Sequence, residues 1–139
     1  MQSPLITARL VPDDRRLNFL PEAFTTRMMM RAESLVFYQA DMLSKQYRGG
    51  LWDFYSLSNG GFYLVPTCAK RFDVSVVGNG YEGNVSADAF GIIVTLFVYG
   101  ALVFIDDATL QEKYSNHYHQ LRDFAIEHTE REAILNAID

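Results

Sequence analysis

The stretch that decides the fold lies between residues 49 and 83 and contains two similar patterns. The first reads G-G-L-W-D-F-Y-S-L-S-N-G-G-F-Y-L-V-P at residues 49–66, and the second reads F-D-V-S-V-V-G-N-G-Y-E-G at residues 72–83. Asn59-Gly60 separates two runs of aromatic and β-branched residues, and Asn79-Gly80 ends a third. Asn-Gly favours a type I′ hairpin turn, because both central residues of that turn need a positive φ. The pattern therefore predicts a small antiparallel sheet of three or four strands over about residues 51–85.

A two-residue turn at Asn59-Gly60 would also set the register of the first hairpin. Leu57 would then lie opposite Phe62, and Tyr55 opposite Leu64. Neither face of such a hairpin is polar. We therefore expect one face to pack on helices, and the other to be either a second packing surface or an exposed aromatic patch.

The segments on either side of this sheet have helical periodicity and capping residues. Ser86 is placed to cap the helix that follows the sheet, and Asp106 or Asp107 to cap the next one. The T-x-x-E sequence beginning at Thr129 matches a capping box for a last short helix. The predicted fold class is therefore α+β, a small antiparallel sheet packed with four or five helices in a single domain over residues 1–139. The predicted helices lie at about residues 13–20, 26–48, 87–105, 107–127 and 130–138.

One of these helices is apolar enough to be mistaken for a membrane span. Residues 89–105 carry no charge, but they are fewer than the roughly 20 residues that a bilayer requires. The flanking charges are Asp88, Asp106 and Asp107, with no Lys or Arg to anchor the segment at a membrane surface. We therefore expect a buried central helix and no membrane association.

The composition is that of a globular protein, with 49% hydrophobic and 21% charged residues. Its one cysteine, Cys68, permits no internal disulfide, which fits a reducing compartment. The apolar run at the N-terminus is too short for a signal peptide. The expected location is the cytoplasm.

The net charge of −5 is unevenly distributed along the chain. Residues 1–80 hold nine Lys/Arg against seven Asp/Glu, whereas residues 81–139 hold three against ten. This balance disfavours tight nonspecific DNA binding through the C-terminal half, because such binding needs Lys or Arg to neutralise phosphates. The acidic half would either be a solvated helical surface or meet a basic partner.

Two apparent ligand motifs lack the structural context that a binding site requires. Residues 78–83 match G-x-G-x-x-G, but no helix begins at the last glycine and no parallel strand follows, as a dinucleotide site requires. His117 and His119 point about 200° apart on a helix, and His128 lies three turns beyond His117, so they cannot share a metal ion. We predict no cofactor and no metal site.

The aromatic residues of the predicted sheet allow three interpretations: core packing, a protein-binding patch, or a platform for stacking nucleic-acid bases. A base-stacking platform also needs a basic surround, and Arg48, Lys70 and Arg71 supply little. Core packing is therefore the favoured interpretation. The residues concerned are Trp52, Phe54, Tyr55, Phe62, Tyr63 and Tyr81.

Several long motifs resemble those of one known family, the ArdB/KlcA antirestriction proteins. They are W-D-F-Y-S-L-S-N-G-G-F-Y-L-V-P at residues 52–66 and G-N-G-Y-E-G-N-V-S-A-D-A-F-G-I-I-V-T-L-F at residues 78–97. The segment R-R-L-N-F-L-P-E-A-F near the N-terminus and the ending A-I-L-N-A-I-D are similar to the family as well. The resemblance covers residues 13–139 and departs at Thr129, where the family usually has proline.

The resemblance implies a small cytoplasmic protein of plasmids, prophages or genomic islands. Such proteins relieve the restriction of incoming DNA by type I restriction–modification enzymes. The resemblance also implies a compact mixed α/β fold, no hydrolase activity and no cofactor. The implied partner is the type I restriction–modification complex, engaged directly or indirectly.

The charge balance bears on how such a protein would act. Seventeen acidic residues offset by twelve basic ones are too few to imitate the phosphates of a duplex. We therefore expect inhibition by protein contact rather than DNA mimicry, with weak or absent DNA binding. The alternative is a weak nucleic-acid-binding module that protects DNA from restriction or translocation. It would use Arg15, Arg16, Arg27, Arg31 and Arg48.

An enzyme is the least favoured interpretation, and it would require a pocket that joins Glu82, Asp88 and a histidine. The candidate partner-binding residues lie in the motifs that resemble the family, although packing, turn geometry or capping would also explain each one. They are Trp52, Tyr55, Asn79, Tyr81 and Asp88.

Overall fold

A computed structural model describes residues 5–139 of the chain, and it confirms the α+β class. Five helices and five strands follow one another, with a short 3-10 helix at Asp13–Arg15 before the first α-helix. The strands are β1 (Ala8–Leu10), β2 (Trp52–Leu57), β3 (Phe62–Pro66), β4 (Arg71–Val76) and β5 (Tyr81–Ser86). The helices are α1 (Arg16–Phe24), α2 (Met29–Leu43), α3 (Ala87–Leu102), α4 (Ala108–Ile126) and α5 (Arg131–Ile138).

The strands form two antiparallel sheets rather than one. One has the order β1-β2-β3, and the other consists of β4 and β5 alone. The N-terminal strand β1 was not predicted, because its three residues are all exposed and carry no alternating pattern. It is a strand because β2 offers an open edge, with which Arg9 pairs opposite Ser56.

The predicted register of the first hairpin is wrong by one residue. The Leu57 N–H donates to the Gly61 carbonyl over 2.8 Å, and the Gly60 N–H donates to the Leu57 carbonyl over 3.0 Å. The loop therefore has three residues, and only Gly60 has a positive φ, at 93°. As a result Tyr55 lies opposite Tyr63.

The second hairpin also differs from a two-residue turn. Its loop has four residues between Val76 and Tyr81, closed by the Gly80 N–H donating to the Val76 carbonyl over 2.9 Å. Gly80 has a φ of 74°, whereas Asn79 does not have a positive φ. Asn79 instead uses its side chain, which accepts from the Tyr81 N–H and donates to the Ala137 carbonyl at the end of α5.

Helix α3 is the centre of the fold, and most of its residues are buried. It contacts both sheets as well as α2, α4 and α5. Gly91 allows it to approach β3 closely, since a Cβ at that position would lie 2.1 Å from the Leu64 carbonyl oxygen. Thr95 completes this contact by accepting a hydrogen bond from the Leu64 N–H over 3.3 Å. Within residues 5–139, none of the helices combines the length and apolar character that crossing a bilayer requires.

Three helices differ from their predicted bounds. Helix α1 continues past residue 20 and through Pro21, without the backbone hydrogen bond that a proline cannot donate. Helix α3 ends at Leu102 rather than near residue 105. Helix α2 ends at Leu43, well before the glycines at 49 and 50, because Ser44 adopts an extended backbone. The predicted caps Ser86 and Asp107 are confirmed by hydrogen bonds from Ala89 and Leu110.

Candidate interaction site at the start of α3

The first turn of α3 holds a polar cluster that joins α3 to β3 and to the α4–α5 connection. Ser86 begins the turn, and its Oγ accepts a hydrogen bond from the Ala89 N–H over 3.1 Å. Asp88 follows within the turn, where a carboxylate is favoured by the positive end of the helix dipole. The side chain of Asp88 is 40% exposed, so it remains accessible to a partner.

The Asp88 carboxylate joins two distant parts of the chain. The Tyr63 hydroxyl on β3 donates to Oδ1 over 2.8 Å, and His128 Nε2, after α4, lies 2.8 Å from Oδ2. The Glu130 N–H donates to His128 Nδ1 over 2.9 Å. Because Nδ1 is thus an acceptor, the ring carries its hydrogen on Nε2 and donates it to Asp88.

Aromatic rings hold the Tyr63 hydroxyl in place. Tyr55 stacks on Tyr63 with 5.0 Å between ring centroids, and Phe124 lies 5.7 Å from the Tyr63 ring. Phe124 also meets the His128 ring edge-on at 6.2 Å. Tyr63 is buried, whereas Tyr55 remains half-exposed at the side of the cluster. Tyr55 therefore remains partly accessible beside a supported carboxylate.

The protonation of the two tyrosines follows from this arrangement. Burial raises the pKa of Tyr63 far above its usual value, and the charge and hydrogen bond of Asp88 raise it further. Burial also raises the pKa of Tyr55, with smaller contributions from the charges of Asp53 and Asp88. Both phenols therefore keep their protons at neutral pH, and Tyr63 serves as a permanent donor to Asp88.

Glu130 fastens the α4–α5 connection to the beginning of α3. One of its carboxylate oxygens accepts from the Ser86 N–H over 2.9 Å, and the other accepts a short hydrogen bond from the Ser86 hydroxyl. The predicted capping box at Thr129 is wrong, because α5 begins after Glu130 and has no side-chain cap. The Glu130 side chain binds Ser86 instead, and no local sequence pattern predicts this contact.

Of the five candidate residues, the structure brings Tyr55 and Asp88 together and leaves three elsewhere. Trp52 is buried, donates from Nε1 to the Tyr47 hydroxyl over 3.1 Å and anchors α2 to the sheet. Asn79 binds the end of α5. The Tyr81 ring lies over Gly83, where an added Cβ would be 2.3 Å from the phenolic oxygen. These last three have structural roles.

The residues that complete the cluster were not among the candidates. Tyr63 and His128 lie 25 and 40 residues from Asp88 in the chain, so no spacing rule connects them. His128 lies just beyond the end of α4 at Ile126, in line with the buried face of that helix, a position that indicates packing rather than function. The one usable signal was the placement of Asp88 two residues after a helix cap.

The polar groups of this arrangement are largely engaged with one another. Asp88 already accepts two hydrogen bonds, and the Ser86 hydroxyl is bound to Glu130 and to the Ala89 N–H. Glu82 is exposed on β5 opposite Ser75 and does not join Asp88 and His128. Among the described residues, no group of three His, Cys, Asp or Glu side chains is arranged to hold a metal ion.

Two of the arginines considered for nucleic-acid binding are engaged within the protein. The Arg16 guanidinium lies 4.3 Å from the centre of the Phe54 ring and donates to the Trp52 carbonyl over 2.8 Å. Arg27 pairs with Asp107 over 3.1 Å. These contacts leave less positive charge available for phosphates than the sequence suggested.

A sequence profile described as "Antirestriction protein" matches residues 45–139. Two antirestriction proteins KlcA from Escherichia coli are 45% and 44% identical to this chain. Each alignment covers 99% of this chain, and they cover 98% and 95% of the relatives. A solved structure of KlcA and ArdB aligns with a TM-score of 0.89 and 43% identity over 100% of both chains. It is described as a novel fold with antirestriction activity against type I DNA restriction systems in vivo but not in vitro.

The fold defines a class of small α+β proteins in which a buried central helix packs against two small antiparallel sheets. The likeness extends over the whole chain, at an identity well above that at which only a fold would be shared. The chain belongs to the antirestriction protein family.

Proposed function

We propose that this protein relieves the restriction of incoming DNA by type I restriction–modification systems in the cytoplasm. The observation that carries the proposal is the match to KlcA and ArdB, with a TM-score of 0.89 and 43% identity over both complete chains. Conservation of the fold at this identity supports a shared activity. Residues 1–139 would act together as one domain.

The mechanism that the surface favours is contact with a protein rather than imitation of DNA. The chain has 17 acidic and 12 basic residues, and several carboxylates are occupied within the fold. Asp88 binds Tyr63 and His128, Glu130 binds Ser86, and Asp107 binds Arg27. A DNA mimic needs a dense row of free carboxylates, and these contacts reduce the number that are free among residues 5–139.

The activity would depend on a component that the cell provides. KlcA and ArdB are described as active in vivo but not in vitro. A cellular component that the activity requires would explain both the activity in vivo and its absence in vitro, and the same component would be required here. The protein itself would not be an enzyme, because the Ser86 hydroxyl and the His128 ring are bound to carboxylates within the fold and are not placed to act on a substrate. The type I complex would therefore be affected through a protein intermediate or in a state that exists only in the cell.

We assign the partner contact to the side of the Asp88 cluster that faces solvent. Asp88 and Tyr55 are the accessible members of this cluster, and Tyr63 and His128 hold the carboxylate in one position. A carboxylate fixed in this way can accept a hydrogen bond from a partner without losing side-chain entropy. The half-exposed Tyr55 ring adds apolar contact area next to it.

The test measures plating of unmodified phage on cells that carry a type I system. Cells that express the protein should be infected far more efficiently than cells without it. Asp88→Asn should reduce this relief at least tenfold while the melting temperature falls by only a few degrees. Asp123→Asn, which removes the same charge from an exposed site on α4, is the matched control and should keep full activity. A folded Asp88→Asn protein with full activity would remove Asp88 from the contact.

Two further measurements separate the mechanisms. If stoichiometric amounts of the protein compete with DNA for the methyltransferase core, the protein acts as a DNA mimic and the proposed mechanism is wrong. A gel shift that persists at physiological salt would favour the alternative of a nucleic-acid-binding module, using Arg15, Arg31 and Arg48. We expect neither result.

A further inference from the structure

A second surface feature lies away from the Asp88 cluster, beside the strand β4. It is a groove of about 740 Å³ between the end of α2 and the outer face of the β4–β5 hairpin. We call it the β4 groove and define it by Asp41, Met42, Lys45, Ser75, Val77 and Glu82. It is larger than the groove of about 420 Å³ beside β1.

The open edge of β4 forms one side of the β4 groove, between the hairpin and the end of α2. Strand β4 pairs with β5 only, and its Asp73 N–H points away from β5 to donate to Gln46 Oε1 over 2.9 Å. Groups alternate in direction along an antiparallel strand, so Ser75, two residues further, also directs its N–H and C=O away from β5. An open edge of this kind can accept an additional strand.

The groove is already shaped, because Gln46 clamps one end of it. Besides accepting from the Asp73 N–H, Gln46 donates from Nε2 to Asp73 Oδ2 over 3.0 Å and accepts from the Ser44 hydroxyl over 2.9 Å. This clamp holds the end of α2 against β4 at Asp73 and leaves the edge open from Ser75 onward. Binding of an additional strand would therefore require little free energy for reorganising the protein.

The side chains around the edge indicate what would bind there. Three carboxylates, those of Asp41, Asp73 and Glu82, line the groove together with one cation, Lys45. Both oxygens of Asp73 accept hydrogen bonds from Gln46 and Asn84, and the neighbouring Arg71 is bound to Asn84, so Asp41 and Glu82 are the carboxylates available to a basic side chain. Met42 and Val77 are exposed apolar side chains, at 57% and 90%. Alternating basic and apolar residues in an extended segment would meet both features. The carboxylates repel nucleic-acid phosphates, and edge pairing of two copies of this chain would bring like charges together.

We propose that the β4 groove binds an extended, lysine- or arginine-rich segment of a partner protein, which adds a third strand to the β4–β5 sheet. The segment pairs its backbone with Ser75, its basic side chains lie near Asp41 and Glu82, and its apolar side chains contact Met42 and Val77. This proposal does not depend on the Asp88 cluster, which lies at the opposite end of the hairpin beyond Ser86.

The experiment uses the full chain and a fluorescein-labelled decapeptide in which lysine and valine alternate. Fluorescence anisotropy at physiological salt should show saturable binding of this peptide. A peptide with glutamate in place of lysine should not bind. On binding, the Ser75 amide should show slowed hydrogen exchange by NMR, because it gains a hydrogen-bond partner.

The double variant Asp41→Lys/Glu82→Lys should weaken binding of the lysine–valine peptide at least about tenfold, since it replaces attraction by like-charge repulsion. The matched control is Asp123→Lys/Glu132→Lys, which makes the same change in net charge on the exposed faces of α4 and α5. It should bind the peptide nearly as well as the unchanged protein. Melting temperatures confirm that both variants fold.

Four results would overturn the proposal. They are no peptide binding by the unchanged protein, equal weakening by the two double variants, equal binding of the glutamate peptide, and peptide binding that leaves the Ser75 amide unaffected. Protection of Ser75 that rises with protein concentration without peptide would identify a second copy of the chain as the occupant. A labelled oligonucleotide that binds and protects Ser75 would identify nucleic acid instead.

Discussion

The two hairpins of this protein share an Asn-Gly dipeptide at their turns but have different surroundings. In the first, Asn59 donates to the Gln120 carbonyl over 2.9 Å, and Gln120 Nε2 donates back to the Asn59 carbonyl over 3.0 Å. In the second, Gly80 meets no atom within 4 Å of an added Cβ. The first turn is enclosed by α4, whereas the second projects into solvent and is held through the Asn79 side chain.

This difference shows that a turn dipeptide selects where a chain reverses but not how many residues the reversal takes. Both loops use a single glycine with a positive φ, and one has three residues whereas the other has four. The enclosed hairpin contributes Tyr55 and Tyr63 to the Asp88 cluster, because β3 packs against α3. The projecting hairpin keeps an open edge at β4.

The largest effect is expected where α3 meets the first hairpin. Gly91→Ala places a Cβ 2.1 Å from the Leu64 carbonyl oxygen, so backbone must move, and unfolding free energy should fall by about 3 kcal/mol or more. Gly100→Ala in the same helix is the control, since its nearest neighbour, a Tyr118 ring carbon, is at 3.8 Å. It should stabilise the protein by up to about 1 kcal/mol. Urea unfolding measures both, and equal effects would contradict the close approach.

The turns themselves provide the next test. Gly60→Ala and Gly80→Ala both force a side chain into the left-handed region, at a cost of about 1–2 kcal/mol. Gly60→Ala should cost more, because its Cβ would lie 3.2 Å from Gln120 Nε2, which is held by its hydrogen bond to Asn59. Thermal and urea unfolding give the two values. If Gly80→Ala lowers the unfolding free energy more than Gly60→Ala does, the first turn is not the more enclosed of the two.

The stacked tyrosines of the first hairpin should respond differently to loss of a hydroxyl. Tyr63→Phe removes a hydrogen bond to the Asp88 carboxylate, and unfolding free energy should fall by about 1–2 kcal/mol. Tyr55→Phe keeps the stacked ring, and within residues 5–139 the Tyr55 hydroxyl donates no hydrogen bond, so its effect should be near zero. If both variants lose equal stability, the Tyr63–Asp88 contact does not stabilise the fold.

Acid should weaken the first hairpin through His117, whose ring packs edge-on against Phe62 at 5.2 Å. Burial lowers the pKa of His117, with a smaller opposing contribution from Gln120 and a further lowering by the charge of Lys113. The unfolded chain therefore binds a proton more readily than the folded chain. Stability is complete above the ordinary histidine pKa of about 6.5 and falls as the pH decreases below it.

Urea unfolding at a series of pH values from about 8 to 5 measures this dependence, whose contribution from one histidine is at most about 1.4 kcal/mol per pH unit. His117→Asn keeps a donor for the Gln120 side-chain oxygen and should flatten the pH profile. His119→Asn, at an exposed position on the same helix, should leave it unchanged. Equal flattening by both variants would show that burial of His117 is not the cause.

Much of the fold was predictable because helices depend on contacts within a few residues. Leu110, Tyr114, His117 and Leu121 are spaced as one helical face, and they are buried on α4. Ser86 and Asp107 cap the helices that follow them. The predicted end of the first helix near residue 20 is wrong, because α1 continues through Pro21 to Phe24. Strand β1 was not predicted, because what makes it a strand is its pairing with β2, and the sequence does not show which segments pair.

The candidate site was predictable only in part. Asp88 and Tyr55 were selected one at a time, from motifs that resemble the antirestriction family, and their proximity was not foreseen. The one-residue difference in register matters here, since it puts Tyr55 opposite Tyr63 rather than Leu64. Trp52, Asn79 and Tyr81 were selected on the same grounds and have packing or turn roles.

The sequence by itself determined the α+β class, the order of the helices, the burial of α3 and the family, because periodicity, caps and motifs are local or directly readable. The tertiary structure alone decided that Tyr63, Asp88 and His128 meet, that Glu130 binds Ser86, and that the edge of β4 stays open. These contacts join residues 25 to 44 positions apart. The physical reason is that such contacts depend on how helices and sheets pack, and packing is set by the whole core rather than by any one segment.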